Sequence, residues 1–286
     1  MIERIAIIGT GLLGASTGLA LRASGFRGFI VGCNRGPEGA RISLAARAID
    51  SIATDPLQAA RESQVIVLAT PVYAILEWME RLSGVLGSEH LVTDVGSTKG
   101  LITAAASRLF NRPDRAAFLP GHPMAGKERS GADLGDAELF RGAVWLFTDD
   151  PAWERSPHSA ALVEGWREWV AAMGSKVIDI DPARHDELVA WVSHLPQFLA
   201  TALSALLEEE IGDAPELKDV GGRALREMTR LGASPYSMWR DIALTNTEAV
   251  QSALSALEQR LANLRENLRT PGLRDEFEIA NRFRRE

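Results

Sequence analysis

The start of the chain constrains the fold more than any other stretch. The short, β-branched run IAIIG over residues 5–9 is typical of a buried strand. GTGLLG over residues 9–14 overlaps its end and leads directly into a helical pattern. Because this glycine spacing lies between a strand and a helix, it predicts a dinucleotide-binding turn.

The residues of the glycine turn have distinct physical roles at such a site. Gly9 permits the tight turn, Gly11 lets the backbone approach the pyrophosphate, and Gly14 lets the helix pack close to the strand. We expect the phosphates at the helix N-terminus, beside Leu12 and Leu13, where free N–H groups and the helix dipole favour negative charge. The alternative is a tight turn that binds no ligand.

The end of the second predicted strand indicates which cofactor binds. An acidic residue about 20 positions beyond the glycines would hold the 2′-hydroxyl of NAD, whereas an arginine would suit the 2′-phosphate of NADP. Asn34 and Arg35 stand at this strand end, and no carboxylate accompanies them. Since a guanidinium offers a planar fork to phosphate, the sequence favours NADP, with NAD as the alternative.

Further short apolar runs alternate with helical patterns in the first half of the chain. They are GFIVGCN, QVIVLAT, HLVTDVG and AAFLPG, and we expect AVWLFT at 143–148 to add an edge strand. This alternation predicts a parallel sheet covered by helices. A helix near 158–173 and the short strand KVIDID would close the first domain.

From Pro182 onward the pattern is helical. Apolar residues recur at steps of three and four in two stripes: Leu188, Val192, Leu195, Leu199, Leu203 and Leu206, then Leu254, Leu257, Leu261, Leu264 and Leu268. Such stripes suit core packing, which we favour, or a helix packed against a second subunit. The predicted fold class is α/β, with a Rossmann-type parallel-sheet domain over residues 1–181 followed by an all-helical domain over residues 182–286.

Composition limits the partners of the chain. The formal net charge of -7 argues against nucleic acid or an anionic membrane, because both require clustered Lys and Arg. The single cysteine, Cys33, excludes an internal disulfide and a multi-thiolate metal site. The apolar runs fall short of the ~20 residues of a membrane-spanning helix. We expect a cytoplasmic protein that acts on a small molecule and uses no metal.

Two candidate catalytic residues follow predicted strands, at the edge where open α/β sheets bind ligands. Ser97, in VTDVGSTKG, is expected to cap the next helix, to point its hydroxyl toward the nicotinamide, or both. His122, in PGHPMAGKERSG, is held in an extended conformation by Pro123. Because histidine titrates near neutrality, His122 is suited to take a proton from a hydroxyl while hydride leaves the same molecule. A purely structural role is the alternative.

The ordered motifs closely resemble those of one family. GTGLLGAS at 9–16, DVGSTKG at 94–100, GHPMAGKERSG at 121–131, SHLPQ at 193–197 and MTRLGASPYSMWRDI at 228–242 are similar to the motifs of the prephenate and arogenate dehydrogenases of tyrosine biosynthesis. The resemblance implies a Rossmann domain, a helical domain that makes a homodimer, and oxidative decarboxylation of prephenate to 4-hydroxyphenylpyruvate with NAD or NADP. Arogenate as substrate would give tyrosine directly.

The resemblance also implies roles for individual residues. His122 matches the catalytic histidine that accepts the proton of the ring hydroxyl, and Ser97 matches the serine that hydrogen-bonds the same hydroxyl. Arg230 matches the arginine that binds a substrate carboxylate, a task suited to its bidentate geometry. His194 and Gln197 match the polar residues of the helical substrate-binding motif, although the family commonly has His where this chain has Gln197.

Three expectations follow for other polar residues. Glu227 stands where the family often has Asp, and it is expected to orient Arg230 through an ion pair. His90 and His158 are interpreted as structural residues. His185 and Asp186 are assigned to the beginning of a helix, where an acidic residue suits the helix dipole, and of these residues only this pair is a candidate for a place near the crevice.

Two other classes of protein remain as alternatives. A β-hydroxyacid dehydrogenase or an imine reductase would share the architecture, but the former uses a lysine on the long helix, and residues 185–216 contain none. A nucleotide-binding regulatory subunit without turnover would be expected to lack His122 or Arg230, and both are present.

Overall fold

The computed structural model describes residues 2–285, apart from the side chain of Lys218. Its main sheet consists of β1 Arg4–Ile8, β2 Phe29–Cys33, β3 Ser51–Ile52, β4 Val65–Leu68, β5 Leu91–Asp94 and β6 Ala117–Leu119. The strands are parallel and their order is β3-β2-β1-β4-β5-β6. This is the strand order of a dinucleotide-binding Rossmann sheet, so the predicted fold class is confirmed. Only the very short β3 was not predicted.

Helices cover both faces of this sheet. They are α1 Leu12–Ala23, α2 Pro37–Ala45, α3 Pro56–Arg61, α4 Val72–Ser83, α5 Gly100–Leu109 and α6 Pro157–Ala172. Successive residues of β1 point to opposite faces: Ile5 and Ile7 pack in the cluster that contains Trp166 of α6, whereas Ala6 and Ile8 pack in the cluster that contains Met79 of α4. The central strands are therefore buried on both faces, which explains their unbroken apolar runs.

A second, smaller sheet carries the histidine of the GHPMAGKERSG motif. It consists of β7 Gly121–Pro123, β8 Val144–Phe147 and β9 Lys176–Asp179, with β7 antiparallel and β9 parallel to β8. The expected place of AVWLFT at the edge of the main sheet is therefore wrong, because an apolar run does not specify its partner. The chain leaves the main sheet at Pro120, whose carbonyl accepts the N–H of Thr148. His122 thus lies within β7, opposite Leu146.

The rest of the chain is helical. It contains α7 Pro182–Val189, a π-helical turn at Ala190–His194, α8 Leu195–Ile211, α9 Leu217–Val220, α10 Gly222–Thr229, a 3-10 turn at Arg230–Ala233, α11 Tyr236–Thr245, α12 Thr247–Glu266 and α13 Gly272–Arg285. α7, the π-helical turn and α8 form one continuous helix. Pro196 follows the π-helical turn. Proline lacks an N–H and crowds the carbonyl one turn earlier, which explains the wider turn there.

The continuous helix Pro182–Ile211 is long and apolar enough to cross a membrane by length and composition alone. The core helix of a globular protein passes the same test. One side of this helix buries the polar residues His185, Asp186, His194 and Gln197 against the rest of the protein. That side is used by the candidate active site described below.

The two leucine stripes do not form the core of the single chain. Every residue of both stripes lies in the described part of the chain, and none is buried. Val192 is 64% exposed, and Leu261 and Leu268 are 51% and 62% exposed. The preference for core packing is therefore wrong, whereas packing against a second subunit remains open.

Candidate active site

The glycine turn has the shape that a dinucleotide phosphate requires. Gly9 has φ +99°, and a Cβ on Gly14 would lie 1.9 Å from the carbonyl oxygen of Gly9. In contrast, a Cβ on Gly11 would meet no atom within 4 Å, so this backbone faces open space. Thr10 is fully buried, and its hydroxyl has no hydrogen-bond partner among the described residues. The turn therefore fits the cofactor predicted from the sequence.

The N-terminus of α1 completes this phosphate cradle. The N-cap residue, Gly11, provides no side chain, and the first helical residues are Leu12 and Leu13. No side-chain hydrogen bond caps the helix, so its first N–H groups remain available to an anion.

Asn34 and Arg35 lie just beyond the carboxyl end of β2, and both are exposed. The Asn34 side-chain oxygen accepts the N–H of Arg35 at 3.0 Å, which shapes the turn that leads to α2. Cys33, the last residue of β2, is buried, and this burial together with Asp55 raises the pKa of its thiol to about 11. The exposed charged group beside the position expected for the ribose is thus Arg35. The buried thiol of Cys33 stays protonated at neutral pH.

His122 is the first member of a chain of three hydrogen-bonded side chains. Its Nδ1 lies 2.9 Å from Nε2 of His185, and Nδ1 of His185 lies 2.8 Å from Oδ1 of Asp186. Asp186 also accepts the N–H groups of Lys99 at 2.7 Å and Gly100 at 2.8 Å. His122 and Asp186 are each 8% exposed, and His185 is fully buried. The chain thus runs from β7, through α7, to the N-terminus of α5.

These hydrogen bonds define which nitrogen of His122 is a base. Burial raises the pKa of Asp186, but the hydrogen bonds from His185, Lys99 and Gly100 outweigh it, so the pKa is lowered and the carboxylate is ionised. An ionised carboxylate only accepts, so Nδ1 of His185 carries a proton and its Nε2 accepts. His122 must then donate from Nδ1, which leaves Nε2 of His122 with a free lone pair. This tautomer is inferred from the network.

The surroundings keep the His122 ring neutral. Burial lowers its pKa well below the ordinary value of 6.5, and the neighbouring His185, Lys99 and His194 lower it further. Burial also lowers the pKa of His185, against the opposing effect of Asp186. At neutral pH both rings are therefore uncharged, and Nε2 of His122 is ready to accept a proton.

Ser97 lies in the loop between β5 and α5, and it does not cap the helix as expected. α5 begins at Gly100, its N-cap residue is Lys99, and no side chain of the N-cap residue bonds to it. The carboxylate of Asp186 covers these N–H groups instead. Ser97 itself is half-buried. Its neighbour Thr98 shares a 2.8 Å hydrogen bond with Thr245 of α11, which fixes the loop against the helical region.

The sequence interpretation missed the role of His185 and Asp186. It assigned them to a helix start that could lie near the crevice, and gave them no chemical role. The available signal was their spacing, since the apolar residues Val189 and Ala190 follow one turn later and put the pair on an apolar face of the helix. In the structure all four residues are buried. A His-Asp pair on the apolar face of a helix is expensive unless its members are hydrogen-bonded, and this cost points to a partner.

Arg230 reaches the loop after His122 from the helical side. It begins the 3-10 turn after α10, is 59% exposed, and forms an ion pair with Glu128 of the loop that follows β7. The expectation that Glu227 orients Arg230 is wrong. Glu227 instead pairs with Arg223 at 2.6 Å, because the two residues are four apart on α10 and face each other.

His194 and Gln197 are almost entirely buried, at 1% and 4% exposure. Nδ1 of His194 lies 3.4 Å from Nδ2 of Asn246, and the ring packs edge-on against Trp239. Burial lowers the pKa of His194 to about 4, despite the opposing charge of Asp186.

The amide of Gln197 is committed within the helical region. Its Nε2 donates to the carbonyl of Leu231 at 2.7 Å, and its Oε1 accepts from the hydroxyl of Ser234 at 3.0 Å. Gln197 therefore holds the turn that begins with Arg230.

An open glycine turn after β1 and a buried neutral histidine just after β6, both following carboxyl ends of strands in one Rossmann sheet, are features of a nicotinamide-dependent dehydrogenase. Two family models match almost the whole chain: the prephenate dehydrogenase nucleotide-binding domain over residues 17–178 and the prephenate dehydrogenase dimerization domain over residues 181–281. The chain therefore belongs to the prephenate dehydrogenase family, as the motifs predicted.

Individual relatives agree with this assignment. Prephenate dehydrogenase of Lactococcus lactis subsp. cremoris is 29% identical over 91% of this chain and 70% of its own length. The crystal structure of prephenate dehydrogenase from Aquifex aeolicus, in complex with hydroxyphenyl propionate and NAD+, has a TM-score of 0.84 and 28% identity over 100% of this chain and 96% of that one. Synechocystis arogenate dehydrogenase has a TM-score of 0.75 and 28% identity, covering 98% of both chains.

Proposed function

We propose that the protein catalyses the oxidative decarboxylation of prephenate to 4-hydroxyphenylpyruvate with a nicotinamide dinucleotide as hydride acceptor. The chain from His122 through His185 to Asp186 is the observation that carries this proposal, because it presents one free ring nitrogen as a base. Family membership supplies the substrate class. The alternative substrate is arogenate, which the similar Synechocystis enzyme is named for.

The reaction needs alignment and the transient removal of one proton. Loss of CO2 and hydride from the cyclohexadiene makes an aromatic ring, so the substrate itself supplies much of the driving force. When bound, the nicotinamide accepts the hydride. Nε2 of His122 takes the proton of the ring hydroxyl as the hydride leaves, and returns it to the ring oxygen once loss of CO2 has made the ring aromatic. The positive charge that His122 carries in the meantime is stabilised through His185 and the ionised Asp186, as in a catalytic triad.

The other polar residues have supporting roles in this proposal. The hydroxyl of Ser97 hydrogen-bonds the same ring hydroxyl, and the guanidinium of Arg230 binds a substrate carboxylate in place of Glu128. His194 and Gln197 were expected to contact the substrate. Because both are nearly buried, we propose that they shape the helical wall of the site.

We also propose a preference for NADP over NAD. The exposed Arg35 follows β2, at the place where NAD-binding sheets carry an acidic residue. A 2′-phosphate there would meet the guanidinium of Arg35 and the N-terminus of α2.

A homodimer in the cytoplasm is the proposed working state, with a sheet domain up to residue 181 and a helical domain from residue 182. The end of β9 at Asp179 and the start of α7 at Pro182 support this boundary. The leucine stripes, in which no residue is buried, and the exposed Phe277 and Phe283 of α13 offer apolar surface to a second copy. Sedimentation velocity tests this state, and a monomer at micromolar concentration would contradict it.

The test of function is the formation of reduced nicotinamide, followed by absorbance. Prephenate and arogenate are each assayed with NAD and with NADP. Turnover of prephenate supports the proposal, turnover of arogenate alone assigns the alternative substrate, and the faster reaction with NAD or NADP assigns the cofactor. No turnover in any of the combinations, by protein that is folded by circular dichroism, would overturn it.

A further inference from the structure

One buried ion pair next to the site has no part in the mechanism above. Asp94 ends β5, Lys99 precedes α5, and Nζ of Lys99 contacts Oδ2 of Asp94. Both side chains are 0% exposed. Removing two charges from water is costly, so a buried ion pair is not explained by stability alone.

Asp94 is tied to the backbone beside the catalytic histidine. Its Oδ1 accepts the N–H of Gly121, the residue before His122, at 3.0 Å, and its Oδ2 accepts the N–H of Gly96 at 2.8 Å. A Cβ on Gly121 would lie 2.8 Å from the carbonyl oxygen of Asp94. The end of β5 and the start of β7 are therefore in direct contact, and the Asp94 carboxylate fixes their separation.

Lys99 is tied to the other end of the same network. Its backbone N–H donates to Oδ1 of Asp186 at 2.7 Å, and this oxygen also accepts from His185. The side chain of Lys99 thus contacts the carboxylate that holds the backbone of Gly121, next to His122. The main chain of Lys99 contacts the carboxylate that orients the His122 ring through His185.

We propose that Asp94 and Lys99 are a positioning pair that fixes His122 from two sides, through Gly121 and through Asp186 with His185. The proposal rests on the proposed function only for its kinetic consequence. The network itself exists without substrate, so a second measurement tests it separately.

Lys99 also belongs to the charge environment of His122. The groups whose charges act on this ring are His185 from α7, His194 from the π-helical turn and Lys99 from the loop before α5. Asp186 is bonded to His185, and Asp94, at the end of β5, is bonded to Lys99. Among them Lys99 supplies a positive charge, which Asp94 maintains against the burial that lowers the pKa of Lys99, and this charge opposes protonation of His122. Loss of that charge would raise the pKa of His122.

The test compares Lys99→Met with the double variant Asp94→Asn/Lys99→Met, in which neither charge remains. Arg155→Met is the matched control, since Arg155 forms a largely buried pair with Asp149 (12% and 18% exposed) on the β8 side. For each variant, the melting temperature, kcat and KM are measured. The pKa of His122 is measured by NMR titration of the ring carbons, and His122→Asn assigns the signal.

We expect Lys99→Met to lower kcat about tenfold or more with little change in KM, as the loss of a group that orients a catalytic residue does. The pKa of His122 rises in this variant. The double variant regains thermal stability relative to Lys99→Met, since no unpaired charge is left, but it does not regain kcat. Arg155→Met lowers the melting temperature and leaves the pKa of His122 unchanged.

Two results would overturn the proposal. One is an unchanged kcat and His122 pKa in folded Lys99→Met, and the other is recovery of kcat together with stability in the double variant. If Lys99→Met does not fold, the double variant is judged by the same kcat and pKa criteria. An inactive wild-type protein whose His122 pKa still responds to Lys99 would contradict the proposed function and leave the positioning pair intact.

Discussion

The two walls of the candidate site differ in how they hold their key side chain. His122, on the sheet side, is buried and its orientation is fixed by hydrogen bonds that reach α7 and α5. Arg230, on the helical side, is 59% exposed and held by one ion pair to Glu128. A proton acceptor must keep one tautomer and one pKa, which burial provides. A carboxylate-binding group must exchange one anionic partner for another, which exposure permits.

This difference predicts that substitutions in the buried hydrogen-bond network of His122 change kcat. Substitutions at the exposed Arg230, or in the contacts that hold its turn, are predicted to change KM. The largest effect is expected for His122→Asn. Asparagine cannot accept the proton at neutral pH, so kcat falls by roughly 10²–10⁴ with little change in KM. Steady-state kinetics with prephenate measure both values. Near-normal turnover in this variant would remove His122 from the mechanism.

The next largest effect on kcat is expected for Asp186→Asn. If the amide oxygen of the new side chain accepts the N–H groups of Lys99 and Gly100, its NH2 group donates to Nδ1 of His185. His185 then carries its proton on Nε2 and donates to Nδ1 of His122. The proton of His122 therefore moves to Nε2, which can no longer accept one. A fall in kcat of roughly 10² is expected, below the effect that the wrong tautomer has in a catalytic triad. Asp181→Asn is the control, because Asp181 caps the same helix and Asn is an equally good cap. Equal kcat values for the two variants would argue against an orienting role for Asp186.

Arg230→Ala tests the exposed wall. Losing one charge-assisted hydrogen-bonding group costs about 1.5–3 kcal/mol, which raises KM by roughly 10–150-fold while kcat changes little. Arg223→Ala, on the preceding helix and 87% exposed, is the control. A large fall in kcat without a change in KM would show that Arg230 takes part in the chemical step. That result would contradict the proposed difference between His122 and Arg230.

Gln197→Leu gives the smallest effect. The substitution breaks the hydrogen bonds to Leu231 and Ser234, each worth about 1 kcal/mol, so KM rises several-fold through the Arg230 turn. Because Gln197 acts on the turn, the KM values for prephenate and arogenate rise by the same factor. A change in their ratio would show that Gln197 contacts the part of the substrate in which the two molecules differ.

Sequence patterns predicted local features well and partnerships poorly. The glycine turn and the first strands follow from spacing, because both depend on neighbouring residues. The pairing of AVWLFT with β7, the pairing of Glu128 with Arg230 and the contact of His185 with His122 join residues that are distant in the chain. Nothing in the sequence of α10 excluded an ion pair between Glu227 and Arg230. Glu227 pairs with Arg223 instead, because residues four apart on a helix lie side by side.

The pH dependence of kcat/KM for the wild-type protein tests most directly whether His122 is a buried neutral base. This parameter reports ionisations of the free enzyme, and His122 must be unprotonated to act. Since the pKa of His122 is well below 6.5, we predict that kcat/KM stays constant as the pH falls through 6.5 and declines only in more acidic solution. A decline centred at or above pH 6.5, absent from His122→Asn, would contradict the neutral buried base.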